Sequence, residues 1–459
     1  MERRVEALVV GGGLAGLSAA YFLVRRGLRP WVLEREAPLS CTSDKSTEAY
    51  RLFWPGDEDL AALVRESLDL LLPFAGVARP NRRGYLYVGR LEALEAMALE
   101  APHAGPLRVH RGAATYPKEA ASGLDLLHPG ALGEVFPYLG HLRGLGGLHV
   151  RPAGWLSAQG LGMALLEGFR AFGGRLMSGE FLGVEREGGR ARSAQVRREG
   201  REEAWPFGLL VLAPGPGLLR ALRALGHSLP LTAEPHFKAW FPDPEGRFPR
   251  EAPLLIWNEP QEIFTPEEQA LLEEEAELAP LLGPLPPGAH GRPEGEGFLA
   301  LYNPFPREEA TPSGCLPSPP PFAGEVALRG LFPLLPGLRA LLGVRPRVDG
   351  GYYVRTPENR PLLGPLEEGV WVLGALSGYG VMAALGAGSA LAAWALGEEA
   401  PAWALAFAPG RFLDPAYRPK EGRPGSSFRG RTLGGGPPGP RGLPDPGPGR
   451  PRGSGGGRP

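Results

Sequence analysis

The feature that most constrains this chain is a glycine turn set between a strand and a helix close to residue 1. Val5 to Val10 is a short apolar run, Gly11-Gly12-Gly13-Leu14-Ala15-Gly16 follows it, and Leu14 to Arg26 has helical periodicity closed by Gly27. Trp31-Val32-Leu33 then reads as a second short strand. A GxGxxG run alone is weak, but between a strand and a helix it is the turn of a βαβ unit. Gly11 allows the tight turn, Gly13 lets the backbone approach a pyrophosphate, and Gly16 lets helix and strand pack closely. Leu14 and Ala15 begin the helix, where free N–H groups and the helix dipole favour phosphate. Glu34 ends the second strand 23 residues after Gly11. At that spacing an acid binds the adenosine ribose hydroxyls and repels a 2′-phosphate, with Arg35 beside it as a further contact. These residues predict a dinucleotide site and leave FAD and NAD both open.

The rest of the composition excludes more than it specifies. The 459 residues carry a net charge of −1, with no global bias toward nucleic acid or an anionic membrane. Two cysteines, Cys41 and Cys315, exclude a disulfide framework and suit a reducing compartment, so the chain is read as cytoplasmic. No CxxC or Cys/His cluster offers a thiolate zinc site, and no metal is expected. Ala7 to Leu23 is apolar but broken by glycines, and Val370 to Leu396 is cut by Ser377-Gly378-Tyr379-Gly380. Both are read as buried elements and neither as a membrane span.

Along the chain, residues 58–75 and 157–173 have helical periodicity, and Arg83 to Val88 alternates like a strand. Leu209 to Leu212 is a strand running into the turn Ala213-Pro-Gly-Pro-Gly217. Residues 266–282 read as an acidic helical patch, and 283–323 as loops rich in proline and glycine. From 420 to 459 the chain is mostly Gly, Pro and Arg, with almost nothing to bury, and is expected to be a disordered tail. Its seven arginines face only Glu421 and Asp445, which suits either an electrostatic arm or a passive extension.

Three blocks make the chain up to about residue 419 resemble the D-amino acid oxidase/sarcosine oxidase-like (DAO) family of flavoenzymes. They are Val9 to Ala20 with Val32-Leu-Glu34; Leu210 to Gly217; and Gly350-Gly-Tyr-Tyr-Val-Arg-Thr-Pro-Glu-Asn-Arg-Pro-Leu-Leu-Gly-Pro365 with Val372 to Met382. The resemblance implies an α/β fold: a Rossmann-like FAD-binding domain with an inserted substrate domain built on an antiparallel sheet. The cofactor domain is expected from 1–75, 151–222 and 345–419, and the substrate domain from 76–150 and 223–344. It further implies oxidation of a C–N bond in an amine or amino acid. The third block suits a flavin physically, because Gly374 ends a buried strand and Ser377-Gly378-Tyr379-Gly380-Val381 opens a helix. Aimed at the flavin pyrimidine carbonyl, that helix N-terminus stabilises a reduced, anionic ring. A packing role for the same glycines stays open.

Departures from the family pattern bear on chemistry. Sarcosine oxidase-like members carry an oxygen-activating lysine where this chain has Met382. The substitution implies electron transfer to a quinone, a carrier protein or a dye in preference to oxygen, unless another cation such as Lys45 serves oxygen. Relatives that attach flavin through cysteine do so where this chain has Tyr352-Tyr353, so FAD is expected to be non-covalent. Arg355 occupies the place of a carboxylate-binding arginine, or is a surface arginine beside a turn. Cys41 to Arg51 lies in the stretch that passes the flavin: Ser43 is read as a phosphate or ribitol contact, Lys45 as a neighbour of flavin N5, and Arg51 as a second carboxylate ligand. All three equally fit a solvated polar loop. Two other functions compete: a flavoprotein that acts as an assembly factor without turnover, and an NAD-dependent dehydrogenase.

Overall fold

A computed structural model describes residues 4–275, 278–309, 312 and 314–419; the stretch 420–459, expected to be a disordered tail, lies outside the described residues. The expected βαβ unit forms at the expected place. The strand Val5–Val10, the helix Leu14–Arg25 and the strand Pro30–Glu34 are consecutive, and the two strands pair in parallel with Ala7 opposite Pro30 and Val10 opposite Leu33. Around them a sheet is ordered Glu180–Glu187, Arg190–Arg198, Arg201–Leu212, Val5–Val10, Pro30–Glu34, Arg175–Ser178. Val370–Gly374 adds in parallel to the C-terminal half of Arg201–Leu212, and Leu362–Glu367 pairs antiparallel with it. Strands buried on both faces read as continuous apolar runs, as Ala7 to Val10 and Leu209 to Leu212 do.

The helix Gly380–Ala395 packs against Leu14–Arg25 and Glu58–Leu71. Its small residues make this possible: a Cβ on Gly388 would lie 2.2 Å from Ser18 Oγ, and one on Gly386 would lie 2.8 Å from the Leu63 carbonyl oxygen. Among the described residues no helix is long and apolar enough to cross a membrane.

The second sheet has nine strands, mostly antiparallel, ordered Arg347–Arg355, Thr232–Pro242, Gly297–Leu301, His290–Glu294, Leu254–Trp257, Tyr85–Gly89, Gly146–Val150, Leu124–Leu127, Leu107–His110. One face, with Leu86, Val88, Ala239, Phe241 and Phe298, packs on the helix Ala323–Gly330 and the residues that follow it. Side chains alternate along a strand, so Tyr85 and Tyr87 point the other way, toward Ala49 and Phe53. Three sequence expectations shift here. The stretch 283–323, expected as loops, carries the paired strands His290–Glu294 and Gly297–Leu301. The third cofactor segment, expected from 345, contributes its first strand, Arg347–Arg355, to the nine-stranded sheet, where it pairs with Thr232–Pro242 from Arg347↔Trp240 to Arg355↔Thr232. Among the described residues of the acidic patch the α-helix is Pro266–Leu272, started by a Thr265/Glu268 capping box, and a single 3-10 turn forms at Ala279–Leu281.

Candidate active site

The cavity between the two sheets is built upward from the glycine turn. Gly11 has φ +108°, and a Cβ there would lie 2.3 Å from the Ala213 carbonyl oxygen; one on Gly16 would lie 1.9 Å from the Gly11 carbonyl oxygen. Gly13 caps the helix with no side chain of its own to bond the free N–H groups. Instead Ser43 Oγ accepts from Leu14 N at 3.2 Å. Glu34 is held at the base of the turn, its carboxylate accepting from Gly12 N at 2.5 Å and from Glu36 N at 2.8 Å. Arg35 lines the cavity and pairs with Glu36 at 3.2 Å and Glu180 at 3.7 Å.

At the other end, Val370–Gly374 delivers the chain into a turn in which Ala375 (φ +52°) and Ser377 (φ +45°) are both left-handed. Non-glycine residues adopt that conformation only when the surroundings impose it. Here Ser377 N donates to Val354 O at 3.0 Å, and a Cβ on Gly378 would lie 2.5 Å from the Tyr353 ring. Gly374, Ser377, Gly378, Gly380 and Val381 line the same cavity as Gly11, Gly13, Leu14, Ala15, Glu34 and Ser43. Ser377 Oγ and Thr42 Oγ1 are buried without a hydrogen-bond partner, both in residues of that lining. Two helix N-termini, an acid at the end of the second strand, a glycine cradle and two orphaned hydroxyls fit a bound flavin dinucleotide.

Two residues of the stretch Ser377 to Met382 turn away from the cavity. The Tyr379 hydroxyl donates to Asn359 O at 3.0 Å, and its ring meets Trp54 edge-on. Met382 is buried in the hydrophobic core that packs the helices together. Arg51 is also buried: its Nε donates to Phe53 O at 3.1 Å and its guanidinium lies over the Trp54 ring at 4.4 Å. Lys45 reaches the strand 347–355, pairing with Asp349 at 2.9 Å and Asp44 at 3.1 Å. Burial works to lower its pKa, but hydrogen bonds to the two carboxylates outweigh it and hold the ammonium above its usual range.

Next to Tyr353, which lines the cavity, runs a polar strand face whose own residues lie outside that lining and which no motif in the sequence marked. Glu234, His236 and Lys238 alternate along Thr232–Pro242 and lie opposite Tyr353, Gly351 and Asp349. Glu234 accepts from Arg355 Nη1 at 2.5 Å and lies 3.2 Å from His236 Nε2, and the His236 ring stacks on Tyr353 at 4.1 Å. Burial pushes the Glu234 carboxyl up, but His236 and the Arg355 charge bring it down to about 2. Burial lowers the Lys238 pKa, with Glu48 4.0 Å away in partial compensation. The available signal was the period-2 spacing of Glu, His and Lys inside a run whose other residues are apolar. It also shows that Arg355 is no isolated surface arginine: one of its nitrogens is already committed to Glu234.

The cysteines correct the reading of two thiols in a chain without disulfides. Cys41 and Cys315 are bonded to each other, with Cα atoms 5.6 Å apart, and both line the cavity. Spacing along the sequence gave no hint of it, because the separation is 274 residues.

The family model described as "FAD dependent oxidoreductase" (DAO) matches residues 6–394. Among solved structures, L-proline dehydrogenase from P. horikoshii superposes with a TM-score of 0.70 at 16% identity, covering 90% of this chain and 99% of that one. Iminodiacetate oxidase from Chelativorans sp. gives 0.65 at 17% over 88% and 99%, and glycine oxidase from Bacillus cereus 0.63 at 15% over 86% and 96%. At these identities the likeness is one of fold. A curated relative, aklavinone 12-hydroxylase from Streptomyces peucetius, is 44% identical over 63 residues, which are 12% of this chain and 13% of that protein; the match thus spans a small part of the relative's length.

Proposed function

The chain belongs to the FAD dependent oxidoreductase (DAO) family, and from that premise we propose that it oxidises a C–N bond of an amine or amino acid, with electrons leaving to an acceptor other than oxygen. The observation that carries this reading is the polar strand face next to Tyr353, whose ring lines the cavity and packs on Gly378. His236 stacks on Tyr353, and Glu234 and Arg355 place one carboxylate and one guanidinium on the same two neighbouring strands. A bound FAD supplies a two-electron acceptor; the protein supplies orientation and electrostatics.

Arg355 is read as the carboxylate anchor. Glu234 holds Nη1 and orients the fork, leaving its other N–H groups to a substrate carboxylate. His236 and Tyr353 form a stacked wall that excludes water from the reacting carbon. Met382 at the lysine position supplies no charge for oxygen and is packed into the core, which favours a dehydrogenase. Lys45, bound to Asp44 and Asp349, is the remaining cation for the contrary reading. Non-covalent FAD follows from Tyr352-Tyr353 where relatives carry cysteine, and from the pairing of Cys41 with Cys315.

The test is a visible spectrum of the purified protein, taken anaerobically before and after adding N-methyl and α-amino acids one at a time. Bleaching of the flavin bands by one compound, with little peroxide when air is admitted, is the expected result. Flavin bands that no compound bleaches would favour a non-catalytic flavoprotein. Rapid peroxide formation would remove the dehydrogenase reading, and Lys45→Met would then be expected to slow the oxygen step. Arg355→Ala is expected to raise KM for a carboxylate substrate roughly 10- to 100-fold, the range for losing one charged bidentate contact. Flavin content should be unchanged, and unaltered kinetics would reject the anchor.

A further inference from the structure

The two bonded cysteines line the cofactor cavity side by side but come from different parts of the chain. Cys41 follows the strand that carries Glu34, and its loop is pinned to the glycine turn by Leu39 N donating to Gly12 O at 3.1 Å. Two residues later Ser43 meets the first N–H of the helix Leu14–Arg25 at 3.2 Å. This side is therefore a fixed post beside the phosphate end of the cavity. Cys315 lies between the strand Gly297–Leu301 and the helix Ala323–Gly330, so it belongs to the nine-stranded unit. The chain after it reads Leu316-Pro-Ser-Pro-Pro-Pro321. Pro317, Pro319, Pro320 and Pro321 have no N–H to donate, so this arm has few ways to fasten itself by backbone hydrogen bonds. Leu316 is 42% exposed. A fixed post and a weakly tethered arm joined by one covalent bond make a clasp over the cavity.

We propose that Cys41–Cys315 is a redox-operated clasp that retains the dinucleotide. The proposal rests on the FAD reading, not on the identity of the substrate. With the bond intact, the two units are tied across the phosphate end and the cofactor leaves slowly. A cellular or added dithiol opens it: one thiolate attacks a sulfur of the bond to give a mixed disulfide, and the second thiol displaces it. The protein is left with two thiols and the reagent with one disulfide, two electrons and two protons having been transferred. The arm at 314–316 then lifts and cofactor exchanges with solution. In a reducing cytoplasm the open form dominates, and oxidising conditions lock flavin in place.

The full-length protein, loaded with FAD and air-oxidised, is divided: one portion is denatured and titrated with a thiol reagent, and the other is diluted, still folded, into flavin-free buffer while released flavin is followed by its fluorescence. No reactive thiol is expected before reduction, and both cysteines after treatment with a phosphine reductant. Reduction should speed FAD release by about tenfold or more, the size of effect expected when a local opening is freed of its constraint. Cys315→Ser and Cys315→Ala should release flavin at the reduced rate and ignore the reductant. Two reactive thiols in the air-oxidised protein would overturn the clasp, as would equal release rates in both redox states. Failure to hold FAD in either state would instead overturn the cofactor reading, and the clasp with it.

Discussion

Gly16→Ala is expected to abolish stable flavin binding, leaving less than about a tenth of the wild-type flavin after reconstitution. A Cβ at this position would lie 1.9 Å from the Gly11 carbonyl oxygen, a backbone atom with no rotamer to escape by. Relief requires the helix Leu14–Arg25 to move off the strand Val5–Val10, and this displaces Gly13 and Leu14 from the cavity they line. Overpacking of this kind costs about 1–3 kcal/mol or more, and a cofactor bound through oriented N–H groups loses affinity with the misalignment, so Kd should rise roughly 100-fold, each 1.4 kcal/mol being about tenfold. The ratio of flavin to protein absorbance measures the loss, and far-ultraviolet circular dichroism reports whether the chain stays folded. Gly76→Ala, where a Cβ meets nothing within 4 Å, is the control and should keep its flavin. A Gly16→Ala protein that binds flavin normally would show that the cradle does not hold the dinucleotide.

The second large effect lies far from the chemistry. Asp125, on the strand Leu124–Leu127, is fully buried and accepts from Arg108 Nε at 2.6 Å, Arg151 Nε at 2.5 Å and His110 Nε2 at 2.9 Å. Asp125→Ala leaves the buried Arg151 charge without its carboxylate, a loss of about 3–5 kcal/mol, and should lower the thermal midpoint while leaving the flavin content of the folded fraction intact. The pH dependence has a definite sign. Burial raises the Asp125 carboxyl, but the hydrogen bonds from Arg108, His110 and Arg151 outweigh it and hold its pKa below the usual range. A depressed carboxylate stabilises the fold fully above its ordinary pKa, and that contribution is lost as pH falls through the folded value. Glu234 acts with the same sign, between its ordinary 4.5 and about 2. Thermal midpoints measured from pH 6 downward should fall for wild type and fall less steeply for Asp125→Ala. Parallel curves would exclude Asp125 as a source of the acid sensitivity.

What could be read from the sequence was whatever a few adjacent residues determine by themselves. The turn Gly11 to Gly16 needs positive φ at one position and missing Cβ atoms at others, and those needs leave glycine as the residue on the page. The distance from Gly11 to Glu34 is the length of one helix and two short connections, so the acid arrives at the turn without help from the rest of the chain. The apolar run ending at Gly374 and the small-residue helix after it were legible for the same reason, and the family match over 6–394 agrees with them. Tertiary structure decided everything that depends on which strand lies beside which. Strand Arg347–Arg355 joined the nine-stranded sheet because its register with Thr232–Pro242 sets Tyr353 opposite Glu234. That pairing, made across more than a hundred residues, turned an alternating Glu-x-His-x-Lys into one polar face beside Tyr353. It also paired Arg355 with Glu234. The same holds for Tyr379 and Met382, which sit in a motif yet face the core, since helix phase against two neighbouring helices sets their direction. Cys41 and Cys315 met across 274 residues. Local conformation is written in nearest neighbours, whereas a buried contact is chosen by the packing of whole faces, and no short window of sequence contains both faces.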